Sequence, residues 1–452
     1  MRQTRGEYKT PGGKLVGVTI MWSDHTHAGE TQHAEGAQVD GDFFASVDEL
    51  TIPLLKAAGM TIAQCVGEGR ATVDDIEATL RRLFSVHAPD SLPVGIDARA
   101  IAIAAARAAG GTGAAGDPDV VKGTPTVESG EAVDAPQNVL TSQNILASRR
   151  GDIVNGAPVA LSNAWKSCDW GVMRDPEPLD PAMQMALDES IARSVACGRT
   201  ATLLRLWKWG APAVVIGAFQ SLSHEVDPDA ARSLGFTVVR RCTGGGAMFV
   251  RPEHTVTFSL YVPLAFVDGL TPREAYRRCN EWVVVALRQL GLDVRFDAFN
   301  DLASPRGKIG GSAARRFPAP RVEAGAGAAD AGAGAGAAAD AGPGCLLHHV
   351  TMAYDIDADT MVRVLRVSSE KMRDKAVKSA SRRVDPLRRQ LDGLADSKAP
   401  RTRGAIVDYL GRFALATLPG AHEATIGEDV MADARALRDA KYATQRWTPR
   451  IA

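Results

Sequence analysis

The chain has 452 residues, 45% apolar and 23% charged, with a formal net charge of -1 at pH 7. At roughly 100–200 residues per domain this is two to four domains of soluble globular composition; a disordered chain is excluded, and nothing basic invites nucleic acid. The longest apolar runs, 283–287 and 100–106, fall far short of the roughly 20 residues of a membrane span, and residues 1–10 carry no signal-peptide core. The expectation is a cytoplasmic protein that engages neither membrane nor nucleic acid. Its six scattered cysteines (Cys65, Cys168, Cys197, Cys242, Cys279, Cys345) read as free thiols.

Residues 14–23 alternate Val16, Val18, Ile20 and Trp22 on one side, the period of a half-buried strand, and a second strand is expected to end near Gly41-Asp42-Phe43-Phe44. Ser46-Val47-Asp48-Glu49 has the form of a capping box and predicts a helix to about Ala58. Thr72 opens another, with Val73, Ile76, Leu80, Leu83 and Phe84 on one face, and Asp97 caps a third to about Ala109. Residues 1–109 therefore read as a small α/β domain. Over 110–150 the sequence turns to Gly, Pro, Thr, Ser, Asp and Glu without period, which is a linker composition.

Residues 151–452 read as one larger α+β domain. Asp180-Pro181 supplies a cap and a first-turn proline for a helix burying Met183, Ala186, Leu187 and Ile191. Short β-rich runs follow at 203–209, 213–217, 236–241 and 254–262. Thr271-Pro272-Arg273-Glu274 opens a helix to about Leu290, and a strand is expected over 294–299. Residues 321–344 hold 18 Ala or Gly among 24. Glycine costs about 1 kcal/mol per position in a helix, so this stretch reads as a surface insertion.

Three segments carry chemistry. Arg240-Arg241-Cys242-Thr243-Gly244-Gly245-Gly246-Ala247-Met248-Phe249 is a strand ending in two guanidinium groups, then three glycines. Glycines let backbone amides approach an anion, and an arginine fork suits phosphate or carboxylate; a tight hairpin accounts for the glycines equally well. Asn300-Asp301 precedes Gly307-Lys308-Ile309-Gly310-Gly311-Ser312-Ala313-Ala314-Arg315, a lysine in a glycine-rich loop. Only 12 of the 52 basic residues are lysine. A lysine here points to a compact ammonium bridging oxygens of two groups, the alternative being a solvated loop lysine. His348-His349 on a strand would face opposite sides and form no natural metal pair. One of them can brace the Lys308 loop or reach a ligand, and the other is expected at the surface.

Taken in order, Arg-Arg-x-x-Gly-Gly-Gly-Ala from Arg240, Asn300-Asp301, Gly-Lys-x-x-Gly-Ser-Ala-x-Arg from Gly307, and His-His-x-Thr from His348 resemble the lipoate-protein ligase A family of the biotin/lipoate ligase superfamily. The resemblance covers about 169–450, with support from Leu206-Trp207-Lys208-Trp209, Val214-Val215-Ile216-Gly217 and residues 185–189. Residues 6–16, Gly-Glu-Tyr-Lys-Thr-Pro-Gly-Gly-Lys-Leu-Val, and 41–44 look like the accessory domain of the same enzymes. In many relatives that domain follows the catalytic one or is a separate subunit; here it comes first.

The resemblance implies an α+β protein: a large biotin/lipoate-ligase-like mixed-sheet catalytic domain plus the small α/β accessory domain. It implies an ATP-dependent ligase that activates lipoate, or octanoate, to acyl-AMP. The acyl group would pass to a lysine of lipoyl-domain acceptors, such as 2-oxoacid dehydrogenase acyltransferase subunits or glycine cleavage H protein. By the same resemblance Lys308 would neutralise charge where the acyl carboxylate meets the α-phosphate. Arg241, Gly246, Ala247, Met248, Phe249, Asn300, Asp301 and Lys308 would hold ATP, with Asp301 taking Mg2+. Arg240, Gly244, Gly245, Gly311, Ser312, Ala313, Arg315 and His349 would face the acyl substrate. Trp207, Val215, Ile216 and Phe249 either line a dry tunnel or are ordinary core. Residues 371–389, eight basic and two acidic, either dock an acidic acceptor, close over the adenylate or form a solvated face. Val350 and Gly310 depart from the residues relatives tend to carry, Gly and Ser, and bear on the preferred acyl chain. Three rivals remain: an octanoyl transferase using a cysteine thioester, a biotin ligase, and a non-catalytic lipoyl-domain binding protein. The first needs a thiolate near the lysine loop, for which Cys345 and Cys242 are the candidates.

Overall fold

The structure, a computed structural model, describes residues 2–10, 13–23, 33–45, 48–88, 91–110, 161–297, 299–320, 342–366, 384–394 and 399–451. The expected linker beyond Gly110, residues 321–341 of the Ala/Gly insertion, Ser46 and Val47 of the first capping box, and 371–383 of the basic segment lie outside the described residues.

In the N-terminal module β1 (Arg2–Lys9), β2 (Leu15–Trp22) and β3 (Ala34–Gly41) form an antiparallel sheet in that order. β4 (Phe44–Ala45) pairs with β5 (Pro93–Val94), and the helices are α1 (Asp48–Gly67), α2 (Val73–Ser85) and α3 (Ala98–Ala108). Val16, Val18 and Ile20 are buried, as their alternation requires. The Thr72 hydroxyl accepts from the Asp75 N–H and the Asp97 carboxylate from the Ala100 N–H, so both expected caps form. α1 runs past Ala58 to Gly67. A Cβ at Gly59 would lie 2.1 Å from the Ala37 carbonyl oxygen; the glycine that reads as a helix end is where helix and sheet touch. From Leu50 to Gly67 this helix is also long and apolar enough to cross a membrane, contrary to the expectation drawn from apolar runs. Here Leu55, Ala58, Ile62 and Cys65 pack into the module's own core.

The second module contains β6 (Gly171–Arg174), α4 (Pro181–Ala196), β7 (Leu203–Leu206), β8 (Ala213–Ile216), α5 (Pro228–Ser233), β9 (Thr237–Arg240), β10 (Met248–Val250) and β11 (Thr255–Val262). It continues through α6 (Pro272–Gln289), β12 (Arg295–Asp297), β13 (Asp301–Ser304), β14 (Gly307–Phe317) and β15 (Cys345–Ala353), then α7 (Ala358–Val364), α8 (Leu387–Asp392), α9 (Arg403–Thr417), β16 (His422–Glu423) and α10 (Glu428–Leu437). Eight strands form one sheet, β12-β13-β14-β15-β11-β7-β6-β16. It is mixed: β16, β6 and β7 run parallel and the other pairings are antiparallel. β10-β8-β9 make a second, three-stranded sheet. The Asp180 cap forms, and both halves of the Thr271–Glu274 capping box are present. Trp165, Trp170, Phe258 and Trp282 are fully buried in a core that α6 and α9 help to build, while Met183, Ala186, Leu187 and Ile191 of α4 belong to another.

Residues 307–315, expected as a glycine-rich loop, are the start of the 11-residue strand β14. Their glycines lie within a sheet instead of a turn. The β13–β14 register slips between Leu302 and Ala303, which oppose Gly310 and Lys308 respectively. Such a bulge re-aims a side chain, here Lys308.

The two modules share a core. Ala218 and Phe219 of the second lie within the buried cluster of the first, and Phe219 stacks on Phe43 at 5.1 Å between centroids. Phe44 reaches the other way, stacking on Phe299 at 5.7 Å and meeting Tyr276 at 5.5 Å. The Gly41 N–H donates to the Phe219 carbonyl at 2.9 Å, and the Gly245 N–H to the Phe43 carbonyl at 3.1 Å.

Candidate active site

A cavity of about 300 Å³ opens where the N-terminal module, the glycine segment after β9 and the β13–β14 hairpin meet. Of the predicted residues, Arg241, Gly245, Gly246, Ala247, Met248 and Phe249 line it from one side, and Asn300, Asp301, Lys308, Gly311, Ser312 and Ala313 from another. His349 of β15 also lines it. Arg240, Gly244 and Arg315 do not.

At the hairpin the Lys308 ammonium lies 2.7 Å from an Asp301 carboxylate oxygen. Gly311 sits below the pair: a Cβ there would be 3.0 Å from the Lys308 Nζ. The Asp385 N–H donates to the Lys308 carbonyl at 2.8 Å and fixes the strand edge. Asn300 is held by backbone on both sides, its side-chain amide donating to the Ser312 carbonyl and its carbonyl accepting from the Ser312 N–H. The Ser312 hydroxyl is buried against Asn280, 2.9 Å away, and Ala313 packs with Phe44 and Tyr276.

The paired arginines do something other than grip substrate. Arg240 is completely buried and donates to the backbone carbonyls of Gly217, Gln220 and Thr448 at 2.6–2.9 Å. Arg241 donates to Thr243 Oγ1 and to the carbonyls of Val215, Gly244 and Gly246. Burial pushes the first guanidinium down to about 9 and the second to about 10, because neutral carbonyls, not carboxylates, receive their donors. Both cations shape the turn from inside. The expectation that Arg240 binds acyl substrate is corrected, and Arg241 borders the cavity chiefly as the post on which the glycine segment is hung.

The glycines have a partner that the sequence did not reveal. A Cβ at Gly244 would lie 2.4 Å from the Phe43 carbonyl oxygen, and one at Gly245, whose φ is +90°, would lie 2.8 Å from the Phe44 ring. They are small so that the N-terminal module can seat, which corrects their reading as room for an acyl chain. Gly244→Ala is expected to cost about 1–3 kcal/mol by overpacking this contact. An unchanged urea unfolding midpoint would show that the modules do not close there.

Beneath the glycine segment runs a buried relay. The Thr243 hydroxyl is 2.8 Å from His349 Nε2, His349 Nδ1 is 2.8 Å from Asp188, and Asp188 also accepts from Ser259 and Tyr261 at 2.6 Å. With Nδ1–H given to the carboxylate, Nε2 accepts from Thr243. The relay ties the glycine segment to β15 and α4, so His349 braces it as well as lining the cavity. His348, expected at the surface, is fully buried beside Asn280 and Tyr276, and burial pushes it down to about 3. Arg315 lies outside the cavity, its guanidinium over Phe317 and 3.5 Å from the Cys242 carbonyl. Trp207, Val215 and Ile216 are core residues, and of the tunnel candidates Phe249 alone reaches the cavity.

Several lining residues escaped sequence reading. Met248 and Phe249 are joined by Met352, Ile356 and Met361, a pliable apolar lining assembled from segments up to 113 residues apart in number (361 less 248). From the N-terminal module come Lys14 and Asp42. Lys14 Nζ donates to Asn300 Oδ1 at 2.7 Å and lies 4.7 Å from the Phe44 centroid; Asp42 accepts from the Gln220 amide at 2.8 Å. Burial pushes the Lys14 ammonium down to about 8 against the pull of Asp301 and Asp42, with Lys308 and Lys9 adding to the push. Both residues stand inside or beside sequence that resembled an accessory domain, but only the fold brings them to the catalytic cavity. Among the described residues no cluster of three or more His, Cys, Asp or Glu side chains is arranged for a metal ion.

The description "Lipoyl protein ligase A/B catalytic domain" belongs to the family whose model matches residues 180–319 and 335–408; the gap falls in the Ala/Gly-rich stretch. A lipoate-protein ligase A subunit 1 from Thermoplasma acidophilum is 32% identical over 270 residues, covering 60% of this chain and 92% of that protein. An octanoyltransferase LipM from Kyrpidia tusciae is 30% identical over 280 residues, covering 60% and 94%. A solved structure of a bi-partite lipoate protein ligase from Thermoplasma acidophilum has a TM-score of 0.48 and 30% identity, covering 63% of this chain and 98% of that one.

Proposed function

This chain belongs to the lipoate-protein ligase family defined by the lipoyl protein ligase A/B catalytic domain, and we propose that it is the ATP-dependent member type: it converts lipoate to an acyl-adenylate and passes the acyl group to a lysine of a lipoyl domain. In the first step a carboxylate oxygen attacks the α-phosphorus, the bond to the β-phosphate bridging oxygen breaks and pyrophosphate leaves. In the second the acceptor amine attacks the acyl carbon and AMP departs with the electron pair. Negative charge builds at the α-phosphate in the first step, and a preorganised ammonium in a water-poor site stabilises it. Lys308 is placed for that role. The backbone amides of Gly246 to Phe249 would hold the nucleotide, and the Met- and Phe-lined part of the cavity suits an aliphatic chain.

Mg2+ would neutralise phosphate charge when bound with ATP. The Asp301 and Asp42 carboxylates and the Asn300 side-chain oxygen border one cavity, and such a hard oxygen set suits a cation that shares its remaining positions with phosphate and water. Asp301 is the residue expected to hold it.

The family also contains octanoyltransferases, which as thioester enzymes would need an accessible thiolate. The observation that carries the ligase reading is the placement of the thiols. None of the six cysteines lines the cavity, and five are buried. Burial pushes Cys242 and Cys279 up to about 12 and Cys345 higher still, away from thiolate formation at neutral pH. Cys197 is exposed. A thiol reagent is therefore expected to label Cys197 and leave activity intact; inactivation that tracks modification of Cys242 or Cys345 would favour the transferase. The direct test is lipoate-dependent exchange of pyrophosphate into ATP. Folded protein that shows no exchange with lipoate, octanoate or biotin would sink the ligase reading.

A further inference from the structure

Lys14 is the residue whose surroundings call for something more than the protein gives it. It precedes β2 in the N-terminal module, where its N–H donates to the Gly95 carbonyl at 3.0 Å and its stem presses on Gly95. Its ammonium crosses to the other module and spends its recorded hydrogen bond on the neutral side-chain oxygen of Asn300, 2.7 Å away. Lys308 meanwhile takes Asp301, the residue next to Asn300, at 2.7 Å. Two ammonium groups from different modules thus converge on one corner of one cavity, with Arg241 also on its wall. A largely buried ammonium facing an amide oxygen is costly. It becomes favourable when an anion fills the space beside it.

We propose that Lys14 is a substrate-binding residue of the ligase, donated by the N-terminal module, whose ammonium contacts the phosphate oxygens of ATP during adenylate formation and is not needed for acyl transfer from the finished adenylate. This rests on the ATP-dependent reading above. The division between the half-reactions follows from charge. A triphosphate brings several negative charges into the corner that Lys14 and Lys308 share, whereas an acyl-adenylate brings a single one, which Lys308 alone can meet. The N-terminal module then contributes a contact to the first half-reaction, and the Phe43–Phe219 and Phe44–Phe299 stacks serve to place that contact.

The full chain carrying Lys14→Met is compared with wild type and with Lys14→Arg. Three readouts are used: pyrophosphate exchange at varied ATP, transfer from supplied lipoyl-adenylate to a lipoyl domain, and thermal unfolding with and without ATP. Loss of one charged contact to the reacting phosphates predicts that Lys14→Met lowers kcat/KM for ATP by roughly 10²-fold. Transfer stays near wild type, unfolding without ATP is unmoved, and the stabilisation by ATP shrinks. Lys14→Arg recovers part of the exchange because it keeps the charge. Equal loss in both half-reactions, or a Lys14→Met variant with normal exchange and normal ATP stabilisation, overturns the proposal and leaves the ligase reading standing. Wild-type protein without lipoate-dependent exchange overturns both.

Discussion

Lys308→Ala is expected to slow acyl-adenylate formation by about 10²–10³-fold, the usual loss when one preorganised charge-stabilising donor is removed. The expectation follows from how firmly the ammonium is held. The strand bulge turns the side chain toward Asp301, the Asp385 N–H fixes the backbone at the same residue, and Gly311 leaves the space the ammonium occupies. A group held this way reorganises little when charge develops beside it. Lys308→Arg should restore little, since a planar fork does not fit where a compact cation meets oxygens of two groups. Pyrophosphate exchange measures the loss. A Lys308→Ala enzyme that exchanges at the wild-type rate would mean that another cation, Lys14 being the nearest candidate, neutralises the α-phosphate.

The largest effect on stability is expected at Arg240. Replacing it with Met removes the shared donor for the carbonyls of Gly217, Gln220 and Thr448 and leaves those oxygens without it. Each unsatisfied buried acceptor costs about 1–3 kcal/mol. Removing a buried, unpaired guanidinium returns part of that, because its own desolvation penalty disappears. The net expectation is a loss of roughly 3–5 kcal/mol, which urea unfolding reads directly. A change under about 1 kcal/mol would mean that water replaces the arginine at those carbonyls.

Local chemistry was legible in the sequence where a short segment decides the outcome alone. The caps at Thr72, Asp97, Asp180 and Thr271 formed as written, and so did the strand faces of β2 and β11. Thirteen of the sixteen predicted site residues line one cavity, because the motifs that resembled a known family come with their own geometry. What escaped was whatever depended on a neighbour distant in the chain. Gly59 reads as a helix end unless Ala37 is known to lie against it. Gly244 and Gly245 read as space for a ligand unless Phe43 and Phe44 are known to fill it. Arg240 and Arg241 looked like a substrate fork because arginine usually faces anions, and nothing in their segment says that backbone carbonyls will surround them. Lys14 and Asp42 belong to sequence that resembles a separate module, so no local pattern assigns them to the catalytic cavity.

The anchoring of Arg240 also has a bearing on when during synthesis the protein becomes an enzyme. The turn at 217–222 is gripped by the last described residues: Thr448 accepts from Arg240, the Leu222 N–H donates to the Ile451 carbonyl, Arg450 donates to the Ala218 carbonyl, and Trp447 donates to the Arg240 carbonyl. The same turn carries Phe219 into the N-terminal module's core. Thr448 lies 208 residues beyond Arg240, which at roughly 5–20 residues per second is about 10–40 s of ribosomal elongation. Until that tail arrives the arginine is a buried charge in search of acceptors, and the turn that joins the modules lacks its fastening. A nascent chain long enough to hold every cavity residue would still be inactive, and ligase activity would switch on only after residues 447–451 had left the exit tunnel.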